Sequence, residues 1–160
     1  MTPARFNDIQ LDLSAAIGSA LRCFILHGMP VVELARADLM PVVRRLKGEF
    51  AFDLLLDVTA VDWPAKTPRF EVVYDFYSTR CHDRIRVKTG VECADPTVDS
   101  LVSLFGSANF MERECHDMYG IVFNGNPDLR PILLYEGFIG HPLRKDYDKL
   151  DEQPLVPYRM

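Results

Sequence analysis

The run Glu112-Arg113-Glu114-Cys115-His116-Asp117 is the densest cluster of polar side chains in the sequence. On a helix, Glu112 and His116 would share one face a turn apart, the arrangement of two metal ligands or of an acid and a base. The same residues have a structural reading. Glu112 and Glu114 would interact with a helix N-terminus, Arg113 and Asp117 would form an i,i+4 ion pair, and His116 would be solvated. The structural reading is favoured, because no second cluster at ligand spacing completes a four-coordinate site. Cys81-His82, Cys93 and Cys115-His116 could converge on zinc only if distant elements met. Nothing in their spacing requires it, and structural thiols with surface histidines account for them.

Other chemistries find less support. No GxSxG elbow accompanies the Ser, His and Asp residues, and the glycines spell neither GxGxxG nor GxxxxGK[ST], so hydrolase, nicotinamide and ATP sites are not indicated. Gly140-His141-Pro142-Leu143-Arg144-Lys145-Asp146-Tyr147 gathers basic and aromatic groups on a Pro-constrained stretch. Such a stretch suits an interface, where Arg can grip a carboxylate with two hydrogen bonds, or an ordinary solvated loop. A formal charge of −5 disfavours nucleic acid as a partner. The N-terminal residues lack the pattern of a secretory signal, and the apolar runs fall short of a membrane span. Four dispersed cysteines read as reduced thiols, from which cytoplasmic residence follows.

The elements that would position these residues are legible in the periodicity. Ile9, Leu13, Ala16, Ile17, Ala20 and Leu21 predict a helix from Ile9 to Leu21. The apolar runs Cys23–Leu26 and Val31–Leu34 flank a turn at Gly28-Met29-Pro30. A second helix starts from an Asp38 cap, tolerates Pro41 in its first turn, buries Leu39, Val42, Val43 and Leu46, and stops at Gly48. Three strands follow. Asp53–Asp62 places Leu54, Leu56, Val58 and Ala60 on one face, Arg69–Tyr77 does so with Phe70, Val72, Tyr74 and Phe76, and Arg84–Val91 alternates basic with apolar residues. A third helix is predicted from Asp95-Pro96 with a stripe of Val98, Leu101, Val102 and Phe105. Asn109 and Glu112 form a capping-box pattern opening a last helix that ends near Gly120. Beyond Val122 the prolines at 127, 131, 142, 154 and 157 and the lack of a period predict little regular structure.

Read together, Glu112-Arg113-Glu114, Asp117-Met118-Tyr119-Gly120-Ile121, Phe123, Gly125, Pro127-Asp128-Leu129-Arg130 and Gly140 to Tyr147 resemble one family, the C subunit (30-kDa subunit family) of proton-pumping NADH:quinone oxidoreductase, respiratory complex I. Leu56–Asp62 and Arg69–Tyr74 are similar to strand segments of that family. Two positions depart from its pattern: Asn126 replaces the usual histidine, and Cys115-His116 replaces an apolar or aromatic pair.

The resemblance implies a non-redox subunit of the hydrophilic arm that braces the large hydrogenase-like quinone-site subunit. It would hold no flavin, iron–sulfur cluster, nicotinamide or metal, and would sit peripherally on the cytoplasmic face of the inner membrane. Related subunits occur in membrane-bound hydrogenases and in complexes with other electron donors, and the chain's extent suggests a separate subunit rather than a fused one. A free-standing metal-binding hydrolase built on Glu112, Glu114, His116 and Asp117 is the alternative of another class. The expected architecture is a two-layer α+β body, residues 1–123, with a mixed or antiparallel sheet covered by helices on one face. An extended C-terminal arm, residues 124–160, would dock across the partner with Ile132 to Tyr135 as apolar anchors. Structural or interface roles are expected for Glu112, Arg113, Glu114, Asp117, Arg130, His141, Arg144, Lys145 and Asp146. Arg113 would tie its helix to the arm through acidic neighbours, and Arg144 and Lys145 would meet acidic or carbonyl groups of the partner.

Overall fold

The computed structural model describes residues 1–17, 21–150 and 153. Helix α1 spans Pro3–Ile17, β1 Arg22–Leu26, β2 Met29–Leu34 and α2 Leu39–Gly48, the last entered through a 3-10 turn at Arg36–Asp38. Strands β3 (Leu54–Asp62), β4 (Phe70–Ser78) and β5 (Asp83–Val91) follow, then β6 (Thr97–Asp99), α3 (Ala108–Tyr119) and β7 (Val122–Asn124). The main sheet runs β1-β2-β5-β4-β3, with β2 parallel to β5 and the other neighbours antiparallel; β6 and β7 form a separate parallel pair. The class is α+β with a mixed five-stranded sheet, as expected.

Alternation along β4 sends Phe70, Val72, Tyr74 and Phe76 to one face, each fully buried. Onto them pack Phe6, Ile9 and Leu13 of α1, Leu39, Val42, Val43 and Leu46 of α2, and Ala108 and Cys115 of α3, as one core. All three helices therefore cover one face. The other face carries cross-strand ion pairs, Arg22–Glu33, Lys88–Glu71 and Arg86–Asp75. A bidentate Arg45–Asp12 pair joins α2 to α1.

Several expectations are corrected. α1 begins at Pro3, well before Ile9, because Phe6 extends the apolar stripe by one turn and Thr2 accepts the Arg5 amide. Gly18 and Ala20 of the predicted helix lie outside the described residues. The hairpin turn is His27-Gly28, both with positive φ (48° and 80°), the geometry of a type I′ turn, and Met29-Pro30 belong to β2. Asp38 makes no capping hydrogen bond to α2. In β3 a bulge between Leu55 and Asp57 shifts the register, so Leu55 is buried while Leu54 and Leu56 are exposed.

The third predicted helix does not form. Thr97 instead starts β6, held by Arg36 donating to Asp95 O and Thr97 O, and by the pairing of β6 with β7. Val98, Leu101 and Phe105 are still buried, from a strand and a turn rather than a helical stripe. Tertiary pairing here overrides a weak local preference.

Candidate functional site

α3 carries the polar cluster, and its sequence explains both its stop and the face it buries. Cys115 and Ala108 face the core, and Gly120 ends the helix in the left-handed conformation (φ 73°), its amide donating to His116 O. Asn109 and Glu112 form no capping box. Glu112 points inward, fully buried, and accepts from Ser100 Oγ (2.7 Å), the Leu101 amide (2.7 Å) and Asn126 Nδ2 (2.8 Å). Burial pushes its carboxyl above the ordinary range, and the donors Asn126, Ser100 and Leu101 pull it back without overcoming that shift. Glu112 thus staples the turn after β6 and the start of the arm to α3. Asn126 is one of its three partners.

Asp117, expected to pair with Arg113, does something else. Its Oδ2 accepts the consecutive amides of Ile132 (2.8 Å), Leu133 (2.9 Å) and Leu134 (3.3 Å). Burial opposes its charge, but these three donors outweigh it and hold the carboxyl below its ordinary value. Arg113 does tie α3 to the arm, yet through main-chain oxygens: Nε donates to Arg130 O and Nη2 to Pro131 O, each at 2.9 Å. Its partners are carbonyls and not the acidic neighbours expected.

The arm then turns back along the end of α3. His141 Nδ1 lies 2.9 Å from Asp117 O, and His116 Nδ1 2.9 Å from Ile121 O; since a carbonyl only accepts, both rings carry the proton on Nδ1. His116 is half-buried against the arm rather than free in solvent. The Leu143 amide reaches Met118 O and Arg144 Nε reaches Tyr119 O (2.6 Å). Gly120 is needed for this approach, since a Cβ there would meet the His141 ring and lie 2.8 Å from Arg144 Nη2. Arg144 Nε is therefore turned onto the body.

The last fastening lies at the end of the sheet. Asp62, with its side chain fully buried, accepts from Arg69 Nε (2.7 Å) and Nη2 (2.8 Å) and from the Lys145 amide (2.7 Å), while Arg69 Nη1 pairs with Asp146 (2.8 Å). Arg69 holds the Asp62 and Asp146 carboxyls below their ordinary values. Sequence reasoning missed Asp62, Arg69 and Ser100. An acid ending β3 and an arginine preceding β4 were the available signal, because antiparallel pairing sets those ends side by side.

Residues 127–147 thus form a strap fixed by its polar groups. A small aromatic stack closes it, Tyr135 against Phe138 (5.4 Å) and Phe138 against Tyr147 (6.1 Å), with Gly140 giving Tyr147 room. Leu129 packs against the core, but three aliphatic side chains of the strap face solvent: Leu133 is 61% exposed, Ile139 75% and Leu143 47%. Arg130 is exposed and pairs with Asp128, and Glu114 and the Lys145 side chain are exposed.

Chemically the cluster is saturated rather than poised. Glu112 and Asp117 each already accept three donors, and among the described residues no group of three or more His, Cys, Asp or Glu could hold a metal ion. Cys115 is buried, its thiol pushed up by burial, whereas Cys81 and Cys93 are exposed rather than structural. No helix among the described residues is long and apolar enough to cross a membrane.

Known proteins resemble this chain in sequence and in fold. Residues 32–153 fit the family described as the respiratory-chain NADH dehydrogenase 30 Kd subunit. The NADH-quinone oxidoreductase C subunit of Geobacter metallireducens is 46% identical over 122 residues, 76% of this chain and 75% of that protein. The NADH-quinone oxidoreductase C/D subunit of Bdellovibrio bacteriovorus is 38% identical over 126 residues, 79% of this chain but 22% of that longer polypeptide. Among solved structures, a trypsin-resistant fragment of Nqo5 superposes with a TM-score of 0.69 at 30% identity, covering 78% of this chain and 99% of the fragment. An archaeal membrane-bound sulfane sulfur reductase complex contains a chain with the same fold (TM-score 0.78, 22% identity, 91% of this chain and 87% of that one). The chain therefore belongs to the 30-kDa subunit family of respiratory-chain NADH dehydrogenase, the family of the NADH-quinone oxidoreductase C subunits.

Proposed function

We propose that this chain is a structural, non-redox subunit of the hydrophilic arm of NADH:quinone oxidoreductase, a proton-translocating complex. It braces the hydrogenase-like quinone-site subunit and neighbouring hydrophilic-arm subunits, peripheral to the membrane on the cytoplasmic face. One observation carries the reading: Arg113, Asp117 and Arg144 are engaged in fastening the strap, and its Leu133, Ile139 and Leu143 are left outward. We read these exposed aliphatic side chains as part of an interaction surface. The C/D relative supports a close partner, since a region like this chain is there part of one longer polypeptide.

Deleting the residues after Asn124 tests the role. The body should keep cooperative unfolding, as the trypsin-resistant fragment of the relative suggests, while the truncated chain no longer co-purifies with the complex and membrane NADH:quinone activity falls. Full assembly and turnover by the truncated chain would refute the proposal. A second reading, the counterpart in a related complex with another electron donor, is favoured only by the fold shared with the archaeal reductase. Purification of the complex through this chain, followed by an assay of NADH oxidation, separates the two.

A further inference from the structure

We infer that the cleft between the outer face of the main sheet and the 63–68 loop binds a small zwitterion, an ammonium and a carboxylate carried on one short aliphatic body. The inference is independent of the assembly role proposed above. The cleft encloses about 370 Å³, within the range of small-molecule sites. Its floor is a row of charges across the sheet. Arg22, Glu33 and Lys88 hold paired positions on β1, β2 and β5, and Glu71 of β4 joins Lys88. Its wall is the loop that carries Trp63 and Lys66. Gly90 of β5 seats that loop against the sheet, because a Cβ there would run into Pro68 Cγ. The loop is closed by the Trp63 amide donating to Arg69 O and the Lys66 amide donating to Trp63 O, each at 2.9 Å. The cleft is therefore shaped before a ligand arrives, which lowers the ordering cost of binding.

The groups left unmatched define the ligand. Lys88 Nζ donates to Glu71 Oε1 (2.8 Å) and Arg22 Nη1 to Glu33 Oε2 (3.0 Å), so Glu71 Oε2 and Glu33 Oε1 have no hydrogen bond among the described residues. Those two oxygens can accept from an ammonium. Lys66 makes no ion pair among the described residues, and its ammonium rests 3.8 Å from the centre of the exposed Trp63 ring. A cation–π contact at an exposed site is weak. Lys66 can therefore turn to a carboxylate without breaking an ion pair, which frees the ring face for the aliphatic body of the ligand. The signs of the lining disfavour simpler ligands. Arg22, Lys66 and Lys88 outnumber Glu33 and Glu71, so a lone cation meets a net positive cleft, and a lone anion leaves the open carboxylate oxygens unmatched beside it. A zwitterion satisfies both signs at once.

Trp63 is the only tryptophan in the chain, so its fluorescence reports on the cleft. Titration of the full chain with 4-aminobutanoate at fixed ionic strength should give a saturable change in that emission. Amide NMR signals of 66–68 and 90 should move with the same midpoint, while those of the strap, 127–147, stay in place. Butylammonium and butanoate, the two halves of the probe, should each bind at least about tenfold more weakly than the whole. Lys66→Ala, followed by NMR, should weaken the probe roughly tenfold or more, the scale of a lost charge-assisted hydrogen bond. Lys66 is exposed, so its replacement leaves the fold intact. Glu71→Gln should weaken the probe likewise; if its amide spectrum departs from wild type outside the cleft, Glu33→Gln replaces it. No saturable change with 4-aminobutanoate up to roughly 50 mM overturns the inference. Equal binding by either half, or undiminished binding to Lys66→Ala, overturns it as well.

Discussion

Along β4, Phe70, Val72, Tyr74 and Phe76 turn into the protein while Glu71 and Asp75 turn to solvent. Along the strap the pattern differs, with Leu133, Ile139 and Leu143 in solvent and most inward contacts made by the amides of 132–134, His141, Arg144 and Asp146. The two regions are therefore stabilised by different physics. The body removes apolar area from water, a large and non-directional term. The strap relies on directional hydrogen bonds, each of small net value because the open state exchanges them for water. A segment held in this way can be well shaped and still locally weak.

The largest expected effect is on the body. Phe76 is fully buried, with Tyr74 and Phe105 against it, and Phe76→Ala should destabilise the protein by about 3–5 kcal/mol. Denaturant unfolding followed by circular dichroism measures this. Removal of the whole strap should shift the same midpoint less. A larger loss on truncation than on Phe76→Ala would erase the distinction between the regions.

Asp117→Ala comes next, because it leaves three amides without their acceptor at once. Local opening of the strap should become easier by about 1–3 kcal/mol, the scale of an unsatisfied polar group. Hydrogen exchange should show faster exchange at 132–134 with β4 and β5 unaffected. Equal acceleration across both would place Asp117 in the folding unit of the body.

How much of this could be read from the sequence differs between the regions for the same physical reason. β4 and β5 were legible because burial of one face imposes a period of two on the side chains. The bulge at Leu56 was not, since one inserted residue reverses every later side chain and leaves no mark in composition. Val98, Leu101 and Phe105 have helical spacing but are buried from β6 and a turn, where partners distant in sequence, Arg36 and β7, decide the outcome. The site was half legible. Arg113 and Asp117 are conspicuous as charges, whereas their partners are main-chain groups of the strap, which any residue type supplies.

Acid should separate the regions more gently. Asp117, Asp62 and Asp146 all have carboxyls held below the ordinary value, so the stability they give is fully present above the usual range near pH 4 and is lost as pH falls through their lowered values. Glu112 has the opposite sign. Its raised value means the folded state takes up a proton more readily than the unfolded chain, so protonation there favours the fold. On titration from pH 6 downward, amide NMR signals of 132–134 and 145 should shift before those of β4. Simultaneous loss would mean that strap and body open together.

The smallest effect concerns Arg130, which sharpens the comparison because it belongs to the strap without fastening it. Its guanidinium is exposed and pairs with Asp128 two residues away, holding that carboxyl well below its ordinary value. The guanidinium is open to solvent and the Asp128 carboxylate partly so, and screening and side-chain entropy cancel much of such a pair's attraction. What Arg113 uses at this position is the backbone oxygen of residue 130, which survives substitution. Arg130→Ala should leave the thermal midpoint and the exchange protection of 127–147 unchanged, in contrast to Asp117→Ala. A clear loss of protection would show that the strap depends on its surface charges as well as its inward contacts. Unchanged protection with reduced retention in the complex would instead assign Arg130 to the partner interface.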